Sequence, residues 1–494
     1  MPGHELTDLP NLKSKYLVPL ASTQATLLAI ATVLCSTIAS AQPLVDSIKL
    51  SVCKLPDMAL AARCGALQVA ENPDRPTARQ LAIHIAVVPA TTGKALPDPI
   101  VVMMGGPGES AIDAAGLYTE RFKDLLQDRD LLLIDQRGAG RSGALRCRLS
   151  PPSGPQATLR DVFPPDAVRV CARRLHTRAD LTQYGYSRFA ADVEQVRQAL
   201  RYAPMNLFAG SYGTRAAQVY MRAYPQSVRT AYLGSPVPLD VATPLAMAKT
   251  AEAALENMFN ACRAEAACNS AFPHLRDEFR LVLTRLDAGN VRVAVPGFTS
   301  AMPLYGGRVA AWVRSQLYRP SSAAILPWAV HQAYMGGFNP IVEDILADDQ
   351  HSDLSFGLFF SITCSEDVPF LREPEILPQS QGTFLGDYRV RQQQAACEHW
   401  PKAALSDEYR SPVHSSVPTL FVTGSDDGGT PVWYTDRVMQ GFSRSRKVVI
   451  AGQGHTEWNA CVARLFQTLV RSGAVEGLGV PGCEPIPRPP FKTD

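Results

Sequence analysis

Short apolar runs alternate with amphipathic stretches along much of this 494-residue sequence, and no other feature narrows its fold as far. Residues 80–88 are apolar and β-branched, residues 99–104 form a short run of buried character, and residues 130–135 repeat that run after an amphipathic helix around 118–127. Further strands are expected at 205–209 and 230–233, with a helical stretch over 213–223 between them. Two more follow at 419–423 and 447–450, ahead of a helix over 456–471. Strands separated by helices are joined by crossovers, which make neighbours in the sheet parallel. The expectation is an α/β fold around a mostly parallel central sheet. Between about 236 and 416 the alternation stops and the sequence becomes an Ala-rich helical pattern broken by Pro and Gly. An insertion explains the interruption: residues 42–235 and 417–494 form two parts of one core, and 236–416 a mainly helical cap. The Pro-rich stretch 485–490 reads as a terminal strap.

Residues 1–41 read as a signal peptide. Lys13 and Lys15 precede an apolar stretch over 16–38, and Ala39-Ser40-Ala41 supplies the small residues a signal peptidase reads before Gln42. An uncleaved anchor is the alternative, because the apolar stretch approaches a spanning length. Pro19, Ser22, Thr23 and Gln24 dilute it, which favours cleavage. Cysteine usage points the same way. Of eleven cysteines, Cys35 leaves with the signal, and the others fall as neighbours without a Cys-x-x-Cys pair. Local disulfides in an oxidising compartment are expected, pairing Cys53 with Cys64, Cys147 with Cys171, Cys262 with Cys268, Cys364 with Cys397 and Cys461 with Cys483. The mature chain is expected to be secreted or periplasmic, with no stable membrane association once the signal is cleaved. A net charge of +2, with no Lys/Arg run or basic stripe, leaves nothing to neutralise a row of phosphates and argues against nucleic acid as a partner.

Three short segments carry chemistry. Ala209-Gly210-Ser211-Tyr212-Gly213 lies between a buried strand and a helix, where small neighbours permit a turn sharp enough to expose the serine as a nucleophile. Residues 417–431 run from a strand into Gly424-Ser425-Asp426-Asp427-Gly428-Gly429-Thr430-Pro431, so that a carboxylate just past the strand end reaches an imidazole and the glycines permit a tight loop. Asp426 and Asp427 compete for that role, and Asp427 is preferred. Gly452-Gln453-Gly454-His455-Thr456 again lies between a strand and a helix. The order Ser211, Asp427, His455, each at a strand end, makes them nucleophile, orienting acid and general base. The other histidines show no ligand spacing such as His-x-x-x-His, so no metal is expected. Acyl transfer also needs donors for the developing oxyanion. Met104-Gly105-Gly106-Pro107-Gly108 follows an early buried strand, and the Gly106 and Tyr212 N–H groups are the expected pair. Gly138-Ala139-Gly140-Arg141-Ser142-Gly143 has dinucleotide-fingerprint spacing, but no clear helix follows it and no strand precedes Asp161, so a nucleotide cofactor is not expected.

Together, Gly105-Gly106-Pro107-Gly108, Asp135-Gln136-Arg137-Gly138, Gly210-Ser211-Tyr212-Gly213, Asp427 with Thr430-Pro431, and Gly454-His455 resemble the prolyl aminopeptidase and tripeptidyl aminopeptidase family of serine peptidases, from about Val52 to the C-terminus. Met104 stands where that family commonly has histidine, and Ala209 where it has glycine. The resemblance implies an α/β-hydrolase fold, no cofactor, and cleavage near the free N-terminus of a peptide substrate through an acyl-enzyme. An esterase or amidase on a non-peptide, or a catalytically silent binding protein, are the alternatives on the same scaffold. Within the cap, Thr363-Cys364-Ser365-Glu366-Asp367 resembles the family's amine-anchoring position. Glu366 is expected to bind the substrate ammonium, with Asp367 as its rival.

Overall fold

The computed structural model describes residues 48–58, 60–149, 154–351, 354–478, 483–485 and 487–494. The expected signal peptide, with Cys35, lies outside the described residues. Eleven strands lie among the described residues: β1 (Ser51–Cys53), β2 (Ala62–Ala70), β3 (Gln80–Val88), β4 (Ile100–Met103), β5 (Leu131–Ile134), β6 (Met205–Gly210), β7 (Val228–Gly234), β8 (Arg292–Val293), β9 (Met302–Pro303), β10 (Thr419–Gly424) and β11 (Ser445–Ile450). Nine form one sheet in the order β1-β2-β3-β5-β4-β6-β7-β10-β11, and β8 pairs β9 in a separate ribbon. From β5 to β11 every pairing is parallel. The flank β1-β2-β3-β5 is antiparallel, an addition that the sequence reading did not foresee for β1 and β2.

Strands β4 (IVVM) and β5 (LLLI) are buried at every position, the signature of a sheet covered on both faces. On one face lie helices Tyr186–Ala199, Gly213–Ala223 and Phe356–Glu366, packed into a core with Met103, Leu207 and Leu233. The other face carries helices Ala115–Arg121 and Ala460–Ser472 around an aromatic cluster. There Phe208 and its cross-strand partner Tyr232 stack at 4.5 Å, and Phe122, Phe466 and Trp458 meet Phe208 edge-on. The C-terminal helix begins later than its apolar pattern suggests. Thr456 has φ +49°, which a helix cannot accommodate, and Asn459 caps the first turn by accepting from the Val462 N–H at 2.9 Å.

β7 pairs directly with β10, so the chain leaves the sheet after Gly234 and returns beside the same strand. The intervening residues fall into two parts with different cores. Helices from Thr243–Ala264 to Asn339–His351 surround a separate cluster that includes Phe259, Phe279, Trp312 and Ile341. Helices Phe356–Glu366 and Tyr388–Cys397 instead place Phe360, Ile362, Ala396 and Cys397 in the core of the sheet itself. The C-terminal strap crosses to the first part: Phe491 is buried in its core, and the Phe491 and Lys492 N–H groups donate to Glu265 Oε1 and Ala324 O. All five expected neighbouring cysteine pairs are joined as disulfides. Among the described residues no helix is long and apolar enough to cross a membrane.

Candidate active site

At the C-terminal ends of the parallel strands lies a cavity of about 350 Å³, where open α/β sheets bind ligands. Ser211, the first residue after β6, has φ +53° and is half-buried. A non-glycine residue in that region is strained, and here the strain turns the chain from strand into helix Gly213–Ala223 within two residues. The turn requires glycine at 213, because a Cβ there runs into the Met103 carbonyl of β4. Gly105 meets the same turn from the other side: a Cβ on it comes within 3.3 Å of Ser211 Cβ and 3.7 Å of Tyr212 N. Glycine at 105 thus keeps the space beside Ser211 clear. Gly106 and Tyr212 line the cavity with Ser211 and His455.

Of the two adjacent aspartates, Asp427 meets the histidine. His455 Nδ1 lies 3.0 and 2.9 Å from its two carboxylate oxygens. Asp427 Oδ1 also accepts from the N–H groups of Gly429 and Thr430, each at 2.8 Å, and Oδ2 accepts from Ser235 Oγ and Thr430 Oγ1, each at 2.7 Å. Burial alone pushes the Asp427 carboxyl upward, but His455 and the Thr430 donors outweigh it and hold the pKa below the usual carboxylate value. Asp426 points away, accepting from Ser425 Oγ, Asn257 Nδ2 and the Arg488 guanidinium. With Nδ1–H directed at Asp427, Nε2 of His455 is left as the proton acceptor.

Two supporting residues escaped the sequence reading. Ser235, directly after β7 at φ +50°, donates to Asp427 and accepts from the Thr456 N–H, so one hydroxyl joins the acid loop to the histidine loop. Tyr318, in the insertion, accepts from the His455 N–H at 2.7 Å and sets its ring edge-on against the imidazole at 5.0 Å. The glycines after Asp427 have a purpose other than the one expected. Neither has positive φ; a Cβ on Gly428 comes within 2.7 Å of Leu317 O, and one on Gly429 within 2.5 Å of Tyr318 Cε1. They admit the Leu317 carbonyl and the Tyr318 ring against the acid loop.

The structure does not bring Glu366 to the cavity, which corrects the expected amine anchor. Last in helix Phe356–Glu366, it is 1% exposed and its Oε1 accepts from the Tyr186 N–H at the start of helix Tyr186–Ala199. Asp367 is spent as well: it pairs with the Arg215 guanidinium at 3.0 Å and accepts from the Tyr212 hydroxyl and the Thr243 N–H. The carboxylate that does line the cavity is Glu109, just beyond the Gly-Gly-Pro-Gly turn. It is open to the cavity yet walled by protein; burial raises its pKa, while His455, Arg319 and the Gly105 backbone draw it back. Nothing in the local sequence marked Glu109, since only the folded loop turns it inward.

The remaining conspicuous motif is structural. Asp135 accepts from Ser110 Oγ and from the Ile112 and Arg141 N–H groups, and Arg137 forms a bidentate pair with buried Asp192 at 2.7 and 2.6 Å. Gly140 folds tightly over the Asp135 carboxylate. The segment 135–143 is a knot of internal bonds rather than a phosphate cradle.

Comparison with known proteins adds the following. Residues 98–335 match a family model described as alpha/beta hydrolase fold, and residues 382–481 one described as TAP-like protein. The serine protease Hip1 of Mycobacterium tuberculosis is 26% identical over 427 residues, 76% of this chain and 78% of that protein. A proline iminopeptidase of Heyndrickxia coagulans is 27% identical over 138 residues, 28% of this chain and 35% of its own. A solved proline iminopeptidase from Mycobacterium smegmatis aligns over 82% of this chain and 99% of its own, at 16% identity and a TM-score of 0.39.

Proposed function

The chain being an α/β hydrolase similar to the prolyl and tripeptidyl aminopeptidases, we propose that it is an exported serine exopeptidase that cleaves peptides near their free N-terminus. The observation that carries this reading is the Ser211 elbow sharing one cavity with a His455 whose Nδ1 is fixed on a charged, five-coordinated Asp427. Ser211 Oγ attacks the scissile carbonyl while its proton passes to His455 Nε2. The Gly106 and Tyr212 N–H groups receive the oxyanion. As the C–N bond breaks, the proton moves from His455 to the leaving amine. Water then gives a proton to His455 and attacks the ester; the acyl group leaves and the proton returns to Ser211 Oγ. No cofactor enters any step. Tyr318 ties the base to the insertion, so a closed cap and a placed base go together.

An exopeptidase must tell an ammonium from an internal amide, and a carboxylate set in a cavity does so because the ammonium pairs with it and the amide does not. Glu109 takes that role in this reading, in place of Glu366. Five disulfides support export to an oxidising compartment. The test is hydrolysis of a short peptide and its N-acetylated twin by the parent, Ser211→Ala and Glu109→Gln. The parent should prefer the free amine by about a hundredfold, Ser211→Ala should lose about 10⁴ in turnover, and Glu109→Gln should lose most of the preference. Equal rates on both peptides would leave a hydrolase of another kind; turnover surviving in Ser211→Ala would remove the serine mechanism.

A further inference from the structure

The cavity wall opposite in character to Glu109 is cationic. Arg314, from helix Gly306–Gln316, and Arg389, from helix Tyr388–Cys397, both line the cavity and are 8% and 9% exposed. Buried guanidinium groups are ordinarily matched by carboxylates, as Arg137 is by Asp192 and Arg215 by Asp367. These two are not: among the described residues no carboxylate pairs with either. Arg314 donates to the Tyr318 hydroxyl at 2.6 Å and lies over that ring at 5.0 Å, while its Nε is buried with no hydrogen-bond partner. Arg389 donates to Gln393 Oε1 at 2.7 Å and rests on the Phe163 ring at 4.6 Å. Gln393 is itself anchored on Thr363 Oγ1, so the guanidinium is held in place from behind.

We propose that Arg314 and Arg389 form an anion subsite, and that the preferred substrate brings a carboxylate into the cavity to pair with them. Two like charges held together in a desolvated wall oppose each other and leave donors unmet, costs that a bound carboxylate removes. Burial and the neighbouring Arg314 lower the Arg389 pKa to about 10, so it remains charged at neutral pH. Tyr318 links the subsite to the chemistry, since the ring beneath Arg314 is the ring that packs on His455. The carboxylate has two possible sources in a peptide: an acidic side chain, or the C-terminal carboxylate of a short substrate.

This inference rests on the peptidase reading for its substrate class, but its test does not need turnover. The Ser211→Ala chain is titrated calorimetrically with free-amine peptides that differ as Glu or Gln at one position in turn, and as free acid or amide at the C-terminus. Tighter binding by about tenfold or more for Glu at one position assigns the subsite to a side chain; the same gain for the free acid assigns it to the C-terminus. Equal affinities throughout would overturn the subsite, whatever the catalytic assays show. Adding Arg314→Gln or Arg389→Gln should shrink the preference to about threefold or less, whereas Arg319→Gln should keep it. Arg314→Gln, whose Nε already lacks a partner, costs the fold least; a preference that survives it, or that disappears with Arg319→Gln, would remove the pair. Failure of fluorophosphonate to label Ser211 in the parent would count against the hydrolase reading alone.

Discussion

Glu366 shows how far a single side chain can depart from the role its motif suggests. One carboxylate oxygen accepts from the Tyr186 N–H; the other is buried, with the Tyr409 hydroxyl beside it but outside hydrogen-bonding geometry. Burial lifts its pKa from 4.5 to about 7, against the opposing pull of Tyr409, Arg215 and the Tyr186 N–H. The folded chain therefore keeps this proton where the unfolded chain has lost it. Stability from this group falls as pH rises from 4.5 to about 7, and is level above that. Glu366→Gln removes the slope. At about pH 8 the variant should be more stable than the parent by on the order of 3 kcal/mol, and at about pH 4 by none. Thermal melts at the two pH values check it; an equal shift at both, or a less stable variant at the higher one, would show that the buried charge is not what the site stores. The sequence gives no sign of this, because burial of a carboxylate at a helix end depends on Tyr186 and Tyr409, both distant along the chain.

At the scale of elements, Ser211, Asp427 and His455 could be picked out as candidates because each sits at a strand end and strand ends announce themselves by apolar runs meeting glycine. What was not legible is the contact between elements far apart in sequence. Gly428 and Gly429 read as turn residues, yet they serve the close approach of Leu317 and Tyr318. Gly428→Ala tests the difference. If the glycine were needed only for the loop, alanine at a negative φ would be tolerated; with Leu317 O 2.7 Å from the new Cβ, the insertion must shift instead. That shift pulls Tyr318 O from the His455 N–H and loosens the base. The variant should fold, as judged by circular dichroism, and lose about tenfold or more in kcat, an amount consistent with a misplaced general base. Unchanged kcat would mean that the insertion does not hold His455. The antiparallel flank β1-β2 was missed for a related reason: β2 contains Gly65 and mixes buried, half-buried and exposed positions, so it lacks the continuous apolar run that marks β4 and β5.

Across the whole molecule, the cavity is the meeting place of parts that share no local sequence. The sheet end supplies Ser211, the acid and histidine loops supply Thr430 and His455, the first part of the insertion supplies Arg314 and Tyr318, and the second supplies Phe359, Arg389 and Gln393. The second part is built on helices Phe356–Glu366 and Tyr388–Cys397, with Glu373–Ser380 between them, and Cys364–Cys397 joins the outer two directly. That disulfide closes a loop of 33 residues, whereas Cys262–Cys268, in the first part, closes one of 6. Loop-closure entropy alone makes the longer link worth about 1.5 kcal/mol more. The position matters further, because Gln393, which orients Arg389, lies one helical turn before Cys397 and bonds to Thr363, the neighbour of Cys364. Replacing both Cys364 and Cys397 by Ser should lower stability more than replacing Cys262 and Cys268, and should also raise KM while leaving fluorophosphonate labelling of Ser211 near the parent rate. The contrast separates the two contributions: denaturant melts read the entropy of the loop, and KM reads the cavity wall. Equal losses of stability for the two pairs, with KM unmoved in both, would show that the helices hold Arg389 without the disulfide.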